Sequence, residues 1–149
     1  MLQLDVIAVG KLKESFWKDA CAEYVKRLGG YAKVNVRELA DSTPEREADL
    51  LLGALDALGG ARVVLLDIQG KPTSSEQLAA KLDALAVSGI SRVAFVIGGS
   101  EGVAPRVAER ADEAMSFGPI TLPHNLARVV LLEQLYRACK INKGEPYHK

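Results

Sequence analysis

The chain has 149 residues, 48% of them hydrophobic and 26% charged, a length that suits one domain over residues 1–149 and a composition that excludes a disordered chain. The formal net charge is zero, yet seven basic residues face three acidic ones between Lys11 and Arg37, six acids accompany only Arg46 between Glu38 and Asp56, and five basic residues face two acidic ones from His124 onward. Solvated helix faces explain that segregation as well as an RNA-binding surface does, so charge alone does not decide the partner.

The opening run Leu2 to Val9 is nearly continuous in apolar residues, the pattern of a strand buried on both faces of a parallel sheet. It carries Asp5, no charged region precedes it, and it falls far short of the roughly 20 residues of a membrane helix; neither export nor a membrane is expected, and a cytoplasmic location is. From Ser15 to Leu28, Trp17, Ala20, Cys21, Tyr24, Val25 and Leu28 recur at helical spacing, and Gly29 and Gly30 stop the helix. Val34, Val36 and Leu39 read as an edge strand. Thr43 caps a helix begun by Pro44, with Leu51, Leu52, Leu55 and Leu58 as its apolar stripe. Arg62 to Asp67 is a second buried strand, and Ser74 with Gln77 forms a capping box for a helix carrying Leu78, Ala79, Leu82 and Leu85. Val93 to Ile97 is a third buried strand, and Pro105 opens a short helix through Ala111. An apolar stretch spans Met115 to Leu122. The last helix runs from Leu126 to Cys139, with Val130, Leu131, Leu135 and Ala138 inward, Asn125 as its cap, and a polar tail after it.

Strands alternating with helices predict an α/β domain, a mostly parallel sheet with helices on both faces. Ligands of such sheets sit beyond the carboxyl ends of the strands, which singles out the loops Asp67 to Ser75, Gly98 to Ala104 and Gly118 to Leu126. In the second of these, Gly98, Gly99, Ser100, Glu101 and Gly102 match neither the dinucleotide fingerprint nor a phosphate loop. They do match GxSxG, and Ser100, Asp112 and then His124 or His148 reproduce the chain order of an α/β-hydrolase triad. Against a hydrolase stand the late helix start at Pro105, the short chain and the lack of an oxyanion loop. Glu133 and Arg137 are four apart on the last helix, the spacing of a surface ion pair, and Tyr147 and His148 would by position be a frayed end. Cys21 and Cys139 have no metal-ligand spacing and read as packing residues.

The blocks LDIQGKP (Leu66 to Pro72), FVIGGSEG (Phe95 to Gly102), TLPH (Thr121 to His124), RVVLLEQLYRA (Arg128 to Ala138) and the terminal GEPYHK, with the opening LDVIAVGKLKE, closely resemble the RlmH family across essentially the whole chain. That family consists of small SPOUT-class methyltransferases, homodimers that methylate N3 of a pseudouridine in large-subunit ribosomal RNA of the assembled ribosome. The resemblance implies a C-terminal trefoil knot and S-adenosyl-L-methionine held against Leu66, Gly99, Gly118, Pro119, Ile120, Thr121, Leu122 and Pro123. It implies catalytic roles for Arg137, Tyr147 and His148, RNA contacts from His124 and Arg128, joined by Lys11 and Lys13 of the basic stretch, and no metal.

Overall fold

Each central strand sends alternate side chains into two separate cores. The computed structural model describes residues 1–148, and among them five strands form one sheet: β1 (Leu2–Val9), β2 (Ala32–Leu39), β3 (Arg62–Pro72), β4 (Arg92–Ile97) and β5 (Glu113–Ser116). All pairings are parallel and the order is β2-β1-β4-β3-β5. Leu4, Val6 and Ala8 of β1, Val64 of β3, and Val93, Phe95 and Ile97 of β4 face one core. Ile7 and Val9, Val63 and Leu65, and Ala94 and Val96 face the other. This period of two explains why these strands read as unbroken apolar runs: both faces are covered.

The covering helices are α1 (Ser15–Leu28), α2 (Pro44–Asp56), α3 (Ser75–Val87), α4 (Pro105–Arg110) and α5 (His124–Asn142). The first core takes Cys21 and Leu28 of α1, Leu78, Ala79 and Leu82 of α3, and Leu131, Leu132, Leu135 and Ala138 of α5. The second takes Ala48, Leu51, Ala54 and Leu55 of α2 and Val107 of α4. Phe95 is fully buried at the centre of the first core, where truncation to alanine would cost about 3–5 kcal/mol. No helix is long and apolar enough to cross a membrane among the described residues.

Several boundaries differ from the sequence expectation, each for an identifiable reason. The sheet is wholly rather than mostly parallel. β3 continues to Pro72, through what read as loop, because Met115 of β5 pairs first with Leu66 and again with Lys71. The segment between bulges outward, and Gly70 is pressed onto β5: a Cβ there would lie 2.7 Å from the Met115 nitrogen and 2.8 Å from the Ala114 carbonyl carbon. The last helix starts two residues early, at His124, so Asn125 lies inside it and Pro123 is the cap residue, with no side-chain bond to the first turn. Leu132 takes the fully buried place, while Val130 is half-buried. The capping assignments at Thr43 and at the Ser74–Gln77 box match the structure.

Candidate active site

The carboxyl ends of β3, β4 and β5 converge with the first turn of α5 around a cavity of about 460 Å³. Its walls are Leu66 to Ile68, Ile97 to Ser100 with Gly102 and Val103, Met115 to Gly118, Ile120 to Leu122, His124 and Ala127. At two of its glycines a side chain has no room. A Cβ on Gly98 would meet Val103 Cγ1 at 2.6 Å, and one on Gly99 would lie 3.0 and 3.2 Å from the two carboxylate oxygens of Glu47, which is buried beneath it. Gly118 turns the chain at a φ of +109°, a conformation open to glycine and costly for other residues, and its N–H donates to Ser116 Oγ at 2.9 Å. Among the described residues, Asp67 and His124 are the wall's ionisable groups, and neither lysine nor arginine contributes to it.

Six of the eight residues expected to hold the cofactor line this cavity: Leu66, Gly99, Gly118, Ile120, Thr121 and Leu122. Pro119 and Pro123 do not, and both are exposed. The sequence reading missed Ile68, inside β3, Ile97, the last residue of β4, Met115, inside β5, and Phe117, just after β5.

A second cleft, about 360 Å³, lies next to the first and is bounded by Gly10, Lys11, Lys13, Glu14, Ala40, Asp41, His124 and Asn125. His124 belongs to both walls. Three of the four residues expected to contact RNA, Lys11, Lys13 and His124, are therefore brought together. Arg128 does not line this cleft. Its side chain is 2% exposed and its guanidinium pairs with Glu38 and donates to the Gly10 carbonyl oxygen at 3.1 Å. Glu38 also accepts the Leu12 N–H at 2.9 Å. Burial acts to raise the Glu38 carboxyl, and the bonds from Leu12 and Arg128 more than offset it, holding it below the usual carboxylate range. Arg128 thus braces the β1–α1 loop from beneath.

Arg137, Tyr147 and His148 also meet, but elsewhere. Arg137 lies thirteen residues along α5 from His124, roughly 20 Å at 1.5 Å per residue, and none of the three lines either cavity. Their hub is Glu133, whose Oε2 accepts from Arg137 at 2.8 Å and from the Tyr147 hydroxyl at 2.9 Å. Arg137 stands 3.0 Å from His148 Nδ1 and 4.7 Å from the Tyr147 ring centroid, and His148 Nε2 lies 2.6 Å from Glu76 at the start of α3. Burial and the Glu133 carboxylate push the Tyr147 phenol up to about 12, and the same carboxylate raises Arg137. Tyr147 and His148 are docked against α5, not frayed. The expected ion pair of Glu133 and Arg137 is present and forms one part of this cluster.

The hydrolase alternative loses its geometry. Asp112 accepts the Val63 N–H at 2.7 Å, at the amino end of β3, whereas Ser100 follows the carboxyl end of β4 on the opposite edge of a parallel sheet. His148 is engaged with Arg137 and Glu76, and no hydrogen bond joins Ser100 to a histidine among the described residues.

A cavity at the carboxyl edge of an all-parallel α/β sheet, with glycines in its wall, narrows the class, and comparison with known proteins defines it. A family model described as "Predicted SPOUT methyltransferase" matches residues 2–148, so the chain belongs to the SPOUT methyltransferase family. Two solved structures share the fold: a probable methyltransferase from Bordetella pertussis Tohama I (TM-score 0.58, 14% identity, 93% of this chain and 96% of that one) and a probable methylase family protein from Haemophilus influenzae Rd KW20 (TM-score 0.56, 16% identity, 99% and 70%). Curated relatives are nearer in sequence. A protein of Bacillus cytotoxicus is 50% identical and one of Bifidobacterium adolescentis 48%, each aligned over 99% of this chain and all of its own length, and both are named ribosomal RNA large subunit methyltransferase H. The resemblance to the RlmH family seen in separate sequence blocks thus holds over the whole chain.

Proposed function

We propose that the chain transfers a methyl group from S-adenosyl-L-methionine to N3 of a pseudouridine in large-subunit ribosomal RNA of the assembled ribosome. The observation that carries this reading is the pairing of a cavity with glycines in its wall, and no lysine or arginine there among the described residues, with an adjoining cleft that has two lysines. The substrate class comes from the names of the full-length relatives.

The cavity's chemistry fits the cofactor. Backbone amides and carbonyls at Gly98, Gly99 and Gly118 suit the adenosine, Ile68 and Ile120 supply apolar walls, and Asp67 offers a carboxylate to a cation. Leu66, Gly99, Gly118, Ile120, Thr121 and Leu122 would hold it, with Pro119 and Pro123 shaping the loop. When bound, it supplies an electrophilic methyl carbon on a cationic sulfur. The chain's residues must align the acceptor nitrogen with that carbon, and must receive the N3 proton or stabilise the anion left by its departure. Arg137 is the cation for the developing negative charge, and Tyr147 and His148 orient the base or relay the proton. Since these three stand away from the cavity of their own chain, the site is completed in a homodimer, where one protomer's tail reaches its partner's cavity. The C-terminal trefoil knot accompanies this arrangement, no metal takes part, and the ribosomal substrate places the enzyme in the cytoplasm.

Mass spectrometry of ribosomal nucleosides with and without the chain tests the reading: 3-methylpseudouridine should vanish when the chain is absent, and its unchanged presence refutes it. Arg137→Ala that methylates unmodified ribosomes at the full rate would refute the role given to Arg137. Equal methylation of a short isolated hairpin and of intact ribosomes would refute docking on the ribosome.

A further inference from the structure

The cleft beside the cofactor cavity has the properties of a substrate subsite. Methyl transfer needs donor and acceptor atoms roughly 3–3.5 Å apart, so the acceptor must enter a space that shares a wall with the donor's. Within one chain the second cleft does so through His124, whereas the cluster of Arg137, Tyr147 and His148 reaches that space only from the other protomer of the homodimer proposed above.

We propose that this second cleft is the acceptor subsite: it receives one nucleotide of the RNA, drawn out of its stack, with its phosphate on Lys11 and Lys13 and its base presented past His124 to the methyl donor. The proposal rests on the reading of function above. The volume, about 360 Å³, lies in the range of about 300–1,000 Å³ typical of sites for small ligands. The donor set divides as a nucleotide requires. Lys11 and Lys13, both exposed, supply ammonium groups for the phosphate, and Glu14, Asp41 and Asn125 offer partners for ribose hydroxyls and a base edge. An extruded base is also what an enzyme acting on a ring nitrogen needs, because N3 lies on the pairing edge of a uracil-type base.

The cleft is built rather than incidental. Lys11 sits between two tethers: the Gly10 carbonyl oxygen bound by Arg128, and the Leu12 N–H bound by Glu38. Leu12 itself is 7% exposed. The loop is therefore pinned on both sides of Lys11, from a helix whose first turn also forms the cofactor cavity. Arg128 thus holds in place the residues that meet the RNA.

The test separates a subsite from a docking surface. Lys11→Ala, Lys13→Ala and the double variant remove exposed side chains, and Arg46→Ala removes an exposed charge from α2 on the other face of the sheet as the control. Binding of S-adenosyl-L-methionine is measured by calorimetry, and methylation of unmodified ribosomes by transfer of a labelled methyl group. The expected result is cofactor affinity within twofold of wild type in all variants and a fall of at least tenfold in kcat at saturating ribosome for the double variant, with Arg46→Ala unaffected. A raised KM with unchanged kcat would show that the lysines only dock the RNA, and would overturn the proposal, as would no change at all. Photocrosslinking of a thiolated uridine at the methylated position should label the peptide Gly10–Glu14; labelling confined to other segments overturns it. Failure of the wild-type chain to methylate ribosomes refutes the reading of function, whereas an active wild type with active lysine variants refutes the subsite alone.

Discussion

Glu38→Ala should destabilise the protein more than Arg128→Met, although the two substitutions break the same ion pair. What matters is the group left behind. The Arg128 side chain is 2% exposed and that of Glu38 32%. Without Glu38, a buried guanidinium is left with the Gly10 carbonyl as its remaining acceptor, and its Nε already lacks a partner among the described residues. Stranding one member of a buried pair costs about 3–5 kcal/mol, and the low end, about 3 kcal/mol, applies because neighbouring Lys11 and Lys13 keep the loop hydrated. Without Arg128, Glu38 turns to water and still accepts from Leu12, while methionine fills most of the vacated space, so the loss is about 1 kcal/mol. Urea unfolding monitored through Trp17 measures both, and at about 2–4 °C per kcal/mol the difference is also visible in Tm. Equal destabilisation, or a larger loss for Arg128→Met, would refute the view that burial of the guanidinium sets the cost. The acid limb adds a check on sign. The Glu38 carboxyl lies below its ordinary value, so its contribution is present above about pH 4.3 and is lost as pH falls through the lower folded value; the difference in stability between the wild type and Glu38→Ala should narrow there.

Gly99→Ala should weaken cofactor binding at least tenfold, because its Cβ would crowd the Glu47 carboxylate and Val9 beneath the cavity floor; calorimetry with unchanged affinity would disprove the close fit. Alkaline absorbance titration should show one of the four tyrosines ionising near 12, and Tyr147→Phe should remove that step. Since the folded phenol lies above its ordinary value of about 10, the docking of the tail is complete below that pH and is lost as pH rises through about 12. Burial pushes the Cys139 thiol up to about 11 and also raises Cys21, so neither should react with iodoacetamide at pH 8 until the protein unfolds; stoichiometric labelling of the native state within minutes would contradict this.

The layered architecture was legible because burial on both faces leaves a direct mark: unbroken apolar runs in β1, β3 and β4, and helical stripes between them. Caps at Thr43 and Ser74 were legible because local hydrogen bonds depend on nearby residues alone. The bulge after Leu66 was not, since it arises from pairing with Met115, about fifty positions away, and the early start of α5 was hidden by Asn125, a good cap that the chain does not use. At the site, glycines after strands marked the cavity's loops. The burial of Arg128 was not legible, because nothing local reveals its pairing with Glu38, ninety positions earlier. Glu133 read as a simple helix-surface partner because its bond to Tyr147 spans the turn after α5.

The strand order has a consequence for how the protein is made. β4 lies between β1 and β3, so the first sixty or so residues to leave the ribosome carry an apolar strand, β1, with one edge unpaired until Arg92–Ile97 has been synthesised. Parallel pairing over such separations is slow, and exposed strand edges invite misassociation in the interval. The cavity walls come from three segments, the last of which ends at Ala127, and α5 covers the first core only after that. A nascent chain is therefore without its cavity until release, and dependence on chaperones during synthesis should be greatest for variants that weaken the β1–β4 contact.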